Sequence, residues 1–258
     1  MNFSEPTLPT VATRLPALRS RGSARGFAVH QNRVVVFESH LELMVLFLLA
    51  VMPSVAQIID QPPAVTYTDD AGIARRHTFD FLVYLTDGTR IYVAVKPAEK
   101  VERSGIRRTV ELIAQQLPPA IADRIVIVTD TDFTRVDRYN AQQAFECLRF
   151  PISADDDLIE RMTSTLLGSV KIADLVSASG LGGTGFRAVV RCIATGMLVP
   201  VTLQFRITPD SYVTRRQDWS PSAKTSLVAT NDVSQRGHSP VETTDMSTLQ
   251  QANRNTAL

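Results

Sequence analysis

A mixed α/β domain, with helices covering a central sheet, is the fold class this sequence predicts for residues 31–150, and a smaller helical domain follows it. Three observations carry this reading. The runs Thr78–Leu85 and Thr89–Val95 are rich in aromatic and β-branched residues and flank Thr86-Asp87-Gly88, which is a hairpin signature. Ile125-Val126-Ile127-Val128-Thr129 is a continuous apolar run of the kind found in strands covered on both faces. Helical apolar spacing before, between and after these strands gives the order helix, strands, helix, strand, helix.

In chain order, Val34–Phe37 reads as a short strand, and a helix is expected from about Glu38 to Met52. Glu38 and Glu42 stand one turn apart there, and Leu41, Val45, Leu48 and Met52 supply the apolar face. Taken alone, Glu38 is a solvated acid in a helical first turn, favoured by the dipole. Pro53 and Pro62-Pro63 bracket an extended segment, Val55–Gln61, and Val65–Tyr67 leads into a turn at Asp69–Gly72. Past Lys96, Pro97 ends the strand, and Val101–Leu117 is partly helical. A last helix covers about Arg138–Leu148.

Hairpin register decides what Asp80 faces. A two-residue loop at Asp87-Gly88 pairs Asp80 with Val95 and leaves Asp80 and Lys96 on opposite faces. A three-residue loop with Gly88 left-handed pairs Leu85 with Thr89, and Asp80 with Ala94, so that Lys96 shares their face. The second is preferred, because glycine sits where positive φ is needed.

The chain has 258 residues, 27 basic and 26 acidic, and a net charge of +1. No global field marks a nucleic-acid binder, so any basic surface is local. Cys147 and Cys192 lack metal-ligand spacing and read as buried thiols. The apolar run Leu43–Met52 is too short to cross a bilayer, and a cytoplasmic protein without a membrane partner is expected. Residues 1–30, with Arg14, Arg19, Arg21 and Arg25, read as a disordered basic leader broken by Pro6, Pro9 and Pro16. Residues 218–258 are dominated by Ser, Thr, Asn and Gln and read as a disordered tail.

Residues 154–217 suggest a second domain. Leu158–Leu167, Val170–Ser179 and Thr184–Thr195 read as helices, with Met197–Val199 and Gln204–Ile207 as a two-stranded wing, the layout of a winged helix. Its third helix offers Arg187 and Arg191, one turn apart, as DNA contacts, although the same fold also serves as a protein-binding platform.

Several short segments together carry a resemblance. Phe37-Glu38-Ser39 opening an apolar helix, Gln61-Pro62, His77-Thr78-Phe79-Asp80-Phe81, Asp87-Gly88, Val95-Lys96-Pro97, Val128-Thr129-Asp130 and Arg138-Tyr139-Asn140-Ala141 resemble, in order, the catalytic domain of TnsA-type transposon endonucleases. These belong to the restriction-endonuclease-like superfamily, and the resemblance covers about residues 31–150. It implies a restriction-endonuclease-like mixed sheet flanked by helices and a Mg2+-dependent DNA endonuclease, with Mn2+ as a substitute. It further implies Glu38, Asp80 and Lys96 as catalytic residues, with Asp80 and Glu38 as metal ligands. Arg103, Arg107 and Arg108 are candidates to track the DNA backbone, and the implied partners are double-stranded DNA, a transposase and an ATPase regulator. Two positions depart from the pattern. Phe79 replaces the usual proline before the hairpin acid, and Ala94 stands where the superfamily keeps a second acid that TnsA-type enzymes replace with glutamine. Glu99 is the nearest substitute acid in sequence. The alternative reading is a catalytically degenerate nuclease fold that binds DNA or a protein partner.

Overall fold

The computed structural model describes residues 8–13, 24–219 and 242–245. They form two compact units. Among the described residues the first unit holds those up to Leu46, Ser54–Asp132 and the segment 242–245, and the second holds Phe47–Pro53 and Phe133 onward to Trp219.

The first unit begins with an antiparallel pair, β1 (Gly26–His30) and β2 (Arg33–Phe37), joined through Gln31 and Asn32, whose φ values of 47° and 60° make a tight turn. Helix α1 (His40–Ala50) follows; it is apolar almost throughout and mostly buried. Then come β3 (Val55–Asp60), the hairpin of β4 (Val65–Thr68) and β5 (Ala74–His77), and the hairpin of β6 (Phe81–Leu85) and β7 (Arg90–Val95). Helices α2 (Ala98–Ser104) and α3 (Ile106–Gln116) lead to β8 (Arg124–Val128). The stretch Val101–Leu117 is thus two helices, broken where Gly105 takes a left-handed φ of 65°.

β3 pairs antiparallel with β6, β6 antiparallel with β7, and β7 parallel with β8, so the central sheet is mixed. A parallel step needs a crossover, which α2 and α3 provide. Ile106, Val110, Ile113 and Leu117, at helical spacing, pack with Leu82, Tyr92 and Ile125 of the sheet in one apolar cluster.

Two segments read as disordered contribute structure. Leu8 bridges to Arg33, and Thr10 and Thr13 hydrogen-bond to the end of β3, within the expected leader. In the expected tail, the strand Glu242–Asp245 pairs parallel with β8, which covers what would otherwise be an open edge. Arg14, Arg19 and Arg21 and the rest of the tail beyond Trp219 lie outside the described residues.

The second unit contains α4 (Arg135–Leu148), α5 (Ser153–Thr163), β9 (Ser169–Lys171), α6 (Ile172–Ser179), α7 (Gly183–Ala194), β10 (Leu198–Pro200) and β11 (Tyr212–Arg215). The three strands form an antiparallel sheet with β11 in the centre. The expected strand Gln204–Ile207 is irregular instead. The Asn140 side chain takes its backbone groups, donating to Phe205 O at 3.0 Å and accepting from Ile207 N at 2.9 Å. Helix α4, placed with residues 31–150 by the sequence, groups here because Ala144 and Cys147 pack with Ile159, Ile172, Ala188 and Val189. Thr134 and Asp137 form a capping box that starts α4 three residues earlier than the spacing suggested.

Candidate active site

The hairpin register comes from its turn. Leu85 N donates to Thr89 O at 2.8 Å, Gly88 N donates to Leu85 O at 2.9 Å, and Gly88 has φ +83°. Phe81 therefore faces Val93 and Leu82 faces Tyr92, and one step further Asp80 lies across from Ala94. At that step the ladder changes character. Asp80 N still donates to Val93 O at 3.0 Å, but Val95 N donates to the Asp80 side chain, Oδ2, at 2.7 Å. The Asp80 carbonyl is turned to β3, where Gln61 N donates to it at 2.9 Å. Phe79, buried where a proline was expected, stacks on Tyr92 with ring centroids 4.5 Å apart.

The start of α1 supplies acids. Glu38 lies before the helix rather than in its first turn, while Glu42 is buried. Ser39 Oγ accepts from Glu42 N at 3.1 Å and donates to Glu42 Oε1 at 3.0 Å, and Glu42 Oε2 accepts from Glu38 N at 2.7 Å. This exchange satisfies backbone donors that a helix start leaves unpaired.

Electrostatics tie these groups together. Burial pushes the Asp80 carboxyl up to about 7, the charge of Glu42 adds to that, and the Val95 amide and Lys96 oppose it. Glu38 also raises it, with the smallest effect of these groups. Burial likewise raises Glu42, which feels both Glu38 and Lys96. His77 is lowered to about 4 by burial, with Lys96 contributing, so its imidazole is neutral at pH 7. Around the head of the hairpin Asp80 thus feels Glu42, Lys96 and Glu38, and Glu42 feels Glu38 and Lys96. Glu42 is the acid that sequence reasoning passed over, and the signal available was the Ser39-x-x-Glu42 spacing of a capping box.

Ala94 is 2% exposed and belongs to the apolar cluster of Phe79, Leu82 and Tyr92 with α2 and α3. It offers no side-chain oxygen, and Glu99 is exposed in the first turn of α2. Among the described residues, no three His, Cys, Asp or Glu side chains gather closely enough to hold a metal by themselves. Magnesium keeps several waters and needs only one or two carboxylates. Asp80, raised by burial and by the charge of Glu42, and Glu42, raised by burial, are the two acids that could supply them.

The arginines fall into two groups. Arg103, Arg107 and Arg108 are exposed. Arg107 pairs with Glu102 at 2.9 Å, and Arg108 pairs with Asp70 and with Glu111. In the second unit Arg191 is 3% exposed and its guanidinium grips Asp156, with contacts at 2.7 and 2.8 Å. That pairing engages the guanidinium fork inside the unit. Arg187 donates to Glu146 O at 2.8 Å.

Residues 52–130 match the family model described as TnsA-like endonuclease N terminal. This segment is similar to the N-terminal domain of TnsA-like endonucleases. The match includes Asp80, Ala94 and Lys96, while Glu38 and Glu42 precede it. No curated protein matches the chain. Among the described residues, no helix is long and apolar enough to cross a membrane.

Proposed function

We propose that the chain is a metal-dependent DNA endonuclease that hydrolyses a phosphodiester bond in transposition or a related mobile-element reaction. The observation that supports this best is the carboxyl of Asp80, raised by burial and by Glu42 and set beside Lys96, within the segment that matches TnsA-like endonucleases. Asp80 and Glu42, with Glu38 at the rim, would hold Mg2+ or Mn2+. When bound, the metal polarises the phosphate and lowers the pKa of a water. Lys96 places a positive charge where negative charge develops on the phosphate oxygens. The Val95 amide holds Asp80 Oδ2, which leaves Oδ1 as the oxygen to turn outward. The exposed Arg103, Arg107 and Arg108 would follow the DNA backbone, and the exposed ion pairs of Arg107 and Arg108 cost little to open.

After α4 the second unit runs helix, strand, two helices and two strands, with a three-stranded sheet, an order that supports a winged-helix reading. Because Arg191 is buried and Arg187 is bonded to the Glu146 carbonyl, its third helix favours docking of a protein partner over reading of bases. A transposase or an ATPase regulator is the partner class this reading implies.

A second reading, a degenerate nuclease fold that only binds, draws on Ala94, whose buried methyl group supplies no ligand. Supercoiled DNA with Mg2+ or Mn2+ separates the two. Nicking by the parent that falls at least about a hundredfold in Asp80→Ala and Lys96→Ala supports the enzyme. Nicking that persists in Asp80→Ala would overturn it, and DNA retention without nicking favours the binding reading.

A further inference from the structure

We infer that Asp60 and Gln61 are positioning residues for the site, held in place by a strap at residues 8–13; the inference rests on the endonuclease reading only for what the site does. Asp60 is fully buried at the end of β3, an unusual location for an acid that sits neither at Asp80 nor on α1. Its Oδ2 accepts from Val36 N at 2.7 Å and from Thr10 Oγ1 at 2.6 Å. Val36 lies on β2, the strand that delivers Glu38 and Glu42. The next residue, Gln61, is buried with φ +40°, a conformation that a non-glycine residue adopts only when its surroundings enforce it. Gln61 N donates to Asp80 O, and Gln61 O accepts from both Thr13 N and Thr13 Oγ1 at 3.0 Å.

One dipeptide is therefore bonded to the strand that leads to the α1 acids and to the hairpin acid itself. The strap closes on both of its members, Thr10 on Asp60 and Thr13 on Gln61. These bonds join residues 50 and 48 positions apart, so strap docking is a long-range condition on site geometry. With the strap in place, Gln61 keeps its strained φ and the Asp80 carbonyl stays turned to β3, which leaves the carboxyl to meet Val95 N.

The Val95 amide, bonded to Asp80 Oδ2, reports this arrangement without requiring activity. Replacing both hydroxyls with methyl groups, Thr10→Val with Thr13→Val, preserves volume and removes only the strap's side-chain bonds. Hydrogen exchange at the Val95 amide is expected to speed up about tenfold, with the β8 amides unchanged. Mn2+ affinity is expected to fall severalfold, and the Thr10→Ser, Thr13→Ser pair to behave as the parent. Unchanged Val95 protection in the valine variant would overturn the inference, as would equal loss in the serine variant. If the parent binds no Mn2+, the endonuclease reading fails, while Val95 exchange still decides the role of the strap.

Discussion

Val95 N donates to Asp80 Oδ2 at 2.7 Å, so the carboxyl group that the hairpin offers for chemistry also closes the backbone ladder between its strands. Asp80 therefore has two separable roles. Asp80→Asn keeps an oxygen for the Val95 amide and removes the charge, whereas Asp80→Ala also leaves that amide unpaired, which costs about 1–3 kcal/mol. Unfolding in urea is expected to rank Asp80→Asn above Asp80→Ala by about that amount, with nicking lost in both.

The raised Asp80 carboxyl gives stability a pH dependence. Its folded value of about 7 lies above the value of about 3.9 for an unfolded aspartate. The folded chain thus binds more protons between those limits, and this contribution is fully present below about pH 4 and lost as pH rises through about 7. The stability difference between the parent and Asp80→Asn should shift by on the order of 2 kcal/mol against the parent from pH 5 to pH 8. A flat difference would show that Asp80 titrates as an ordinary aspartate.

Ala94→Glu places a carboxylate in an apolar cluster that Phe79, Leu82 and Tyr92 already fill. In chelator the variant is expected to lose about 2–4 kcal/mol of unfolding free energy. Millimolar Mn2+ should return part of that loss if the new acid reaches Asp80. Denaturant melts with and without metal check both statements, and a variant as stable as the parent in chelator would show that position 94 can turn toward solvent.

Arg191→Ala removes a buried guanidinium and leaves Asp156 without its cation. The expected cost is about 3 kcal/mol, against less than about 1 kcal/mol for Arg107→Ala, whose ion pair is exposed. Thermal unfolding measures both. Any change in DNA retention by Arg191→Ala should track its unfolding, whereas Arg103→Ala should weaken retention in a fully folded protein.

Gly88→Val puts a β-branched residue at φ +83° in the loop that sets the Asp80 register. A loss of at least about 1 kcal/mol is expected, and nicking should fall further than stability because a shifted register re-aims Asp80. Parent-like nicking in this variant would separate the turn from the site.

Legibility followed the range of the forces involved. Local chemistry was enough for the hairpin: Gly88 chooses a three-residue loop, and the period of two then puts Asp80 across from Ala94 before any tertiary contact is known. The alternation of apolar segments likewise implied a mixed sheet covered by helices. The boundaries at α4 and β11 were less legible, because packing of Ala144 and Cys147 and capture of the Phe205–Ile207 backbone by Asn140 override local preference.

The sequence by itself determined the hairpin, its register and the presence of Asp80 and Lys96 at its end, because turn geometry and strand alternation act over a few residues. Only the tertiary structure decided that Glu42 is the buried acid acting on Asp80, that Arg191 is spent on Asp156, and that Asp60 and Gln61 join the strap to the site. Burial and ion pairing depend on which distant segments come to lie against a side chain, and residue type and spacing alone do not specify that.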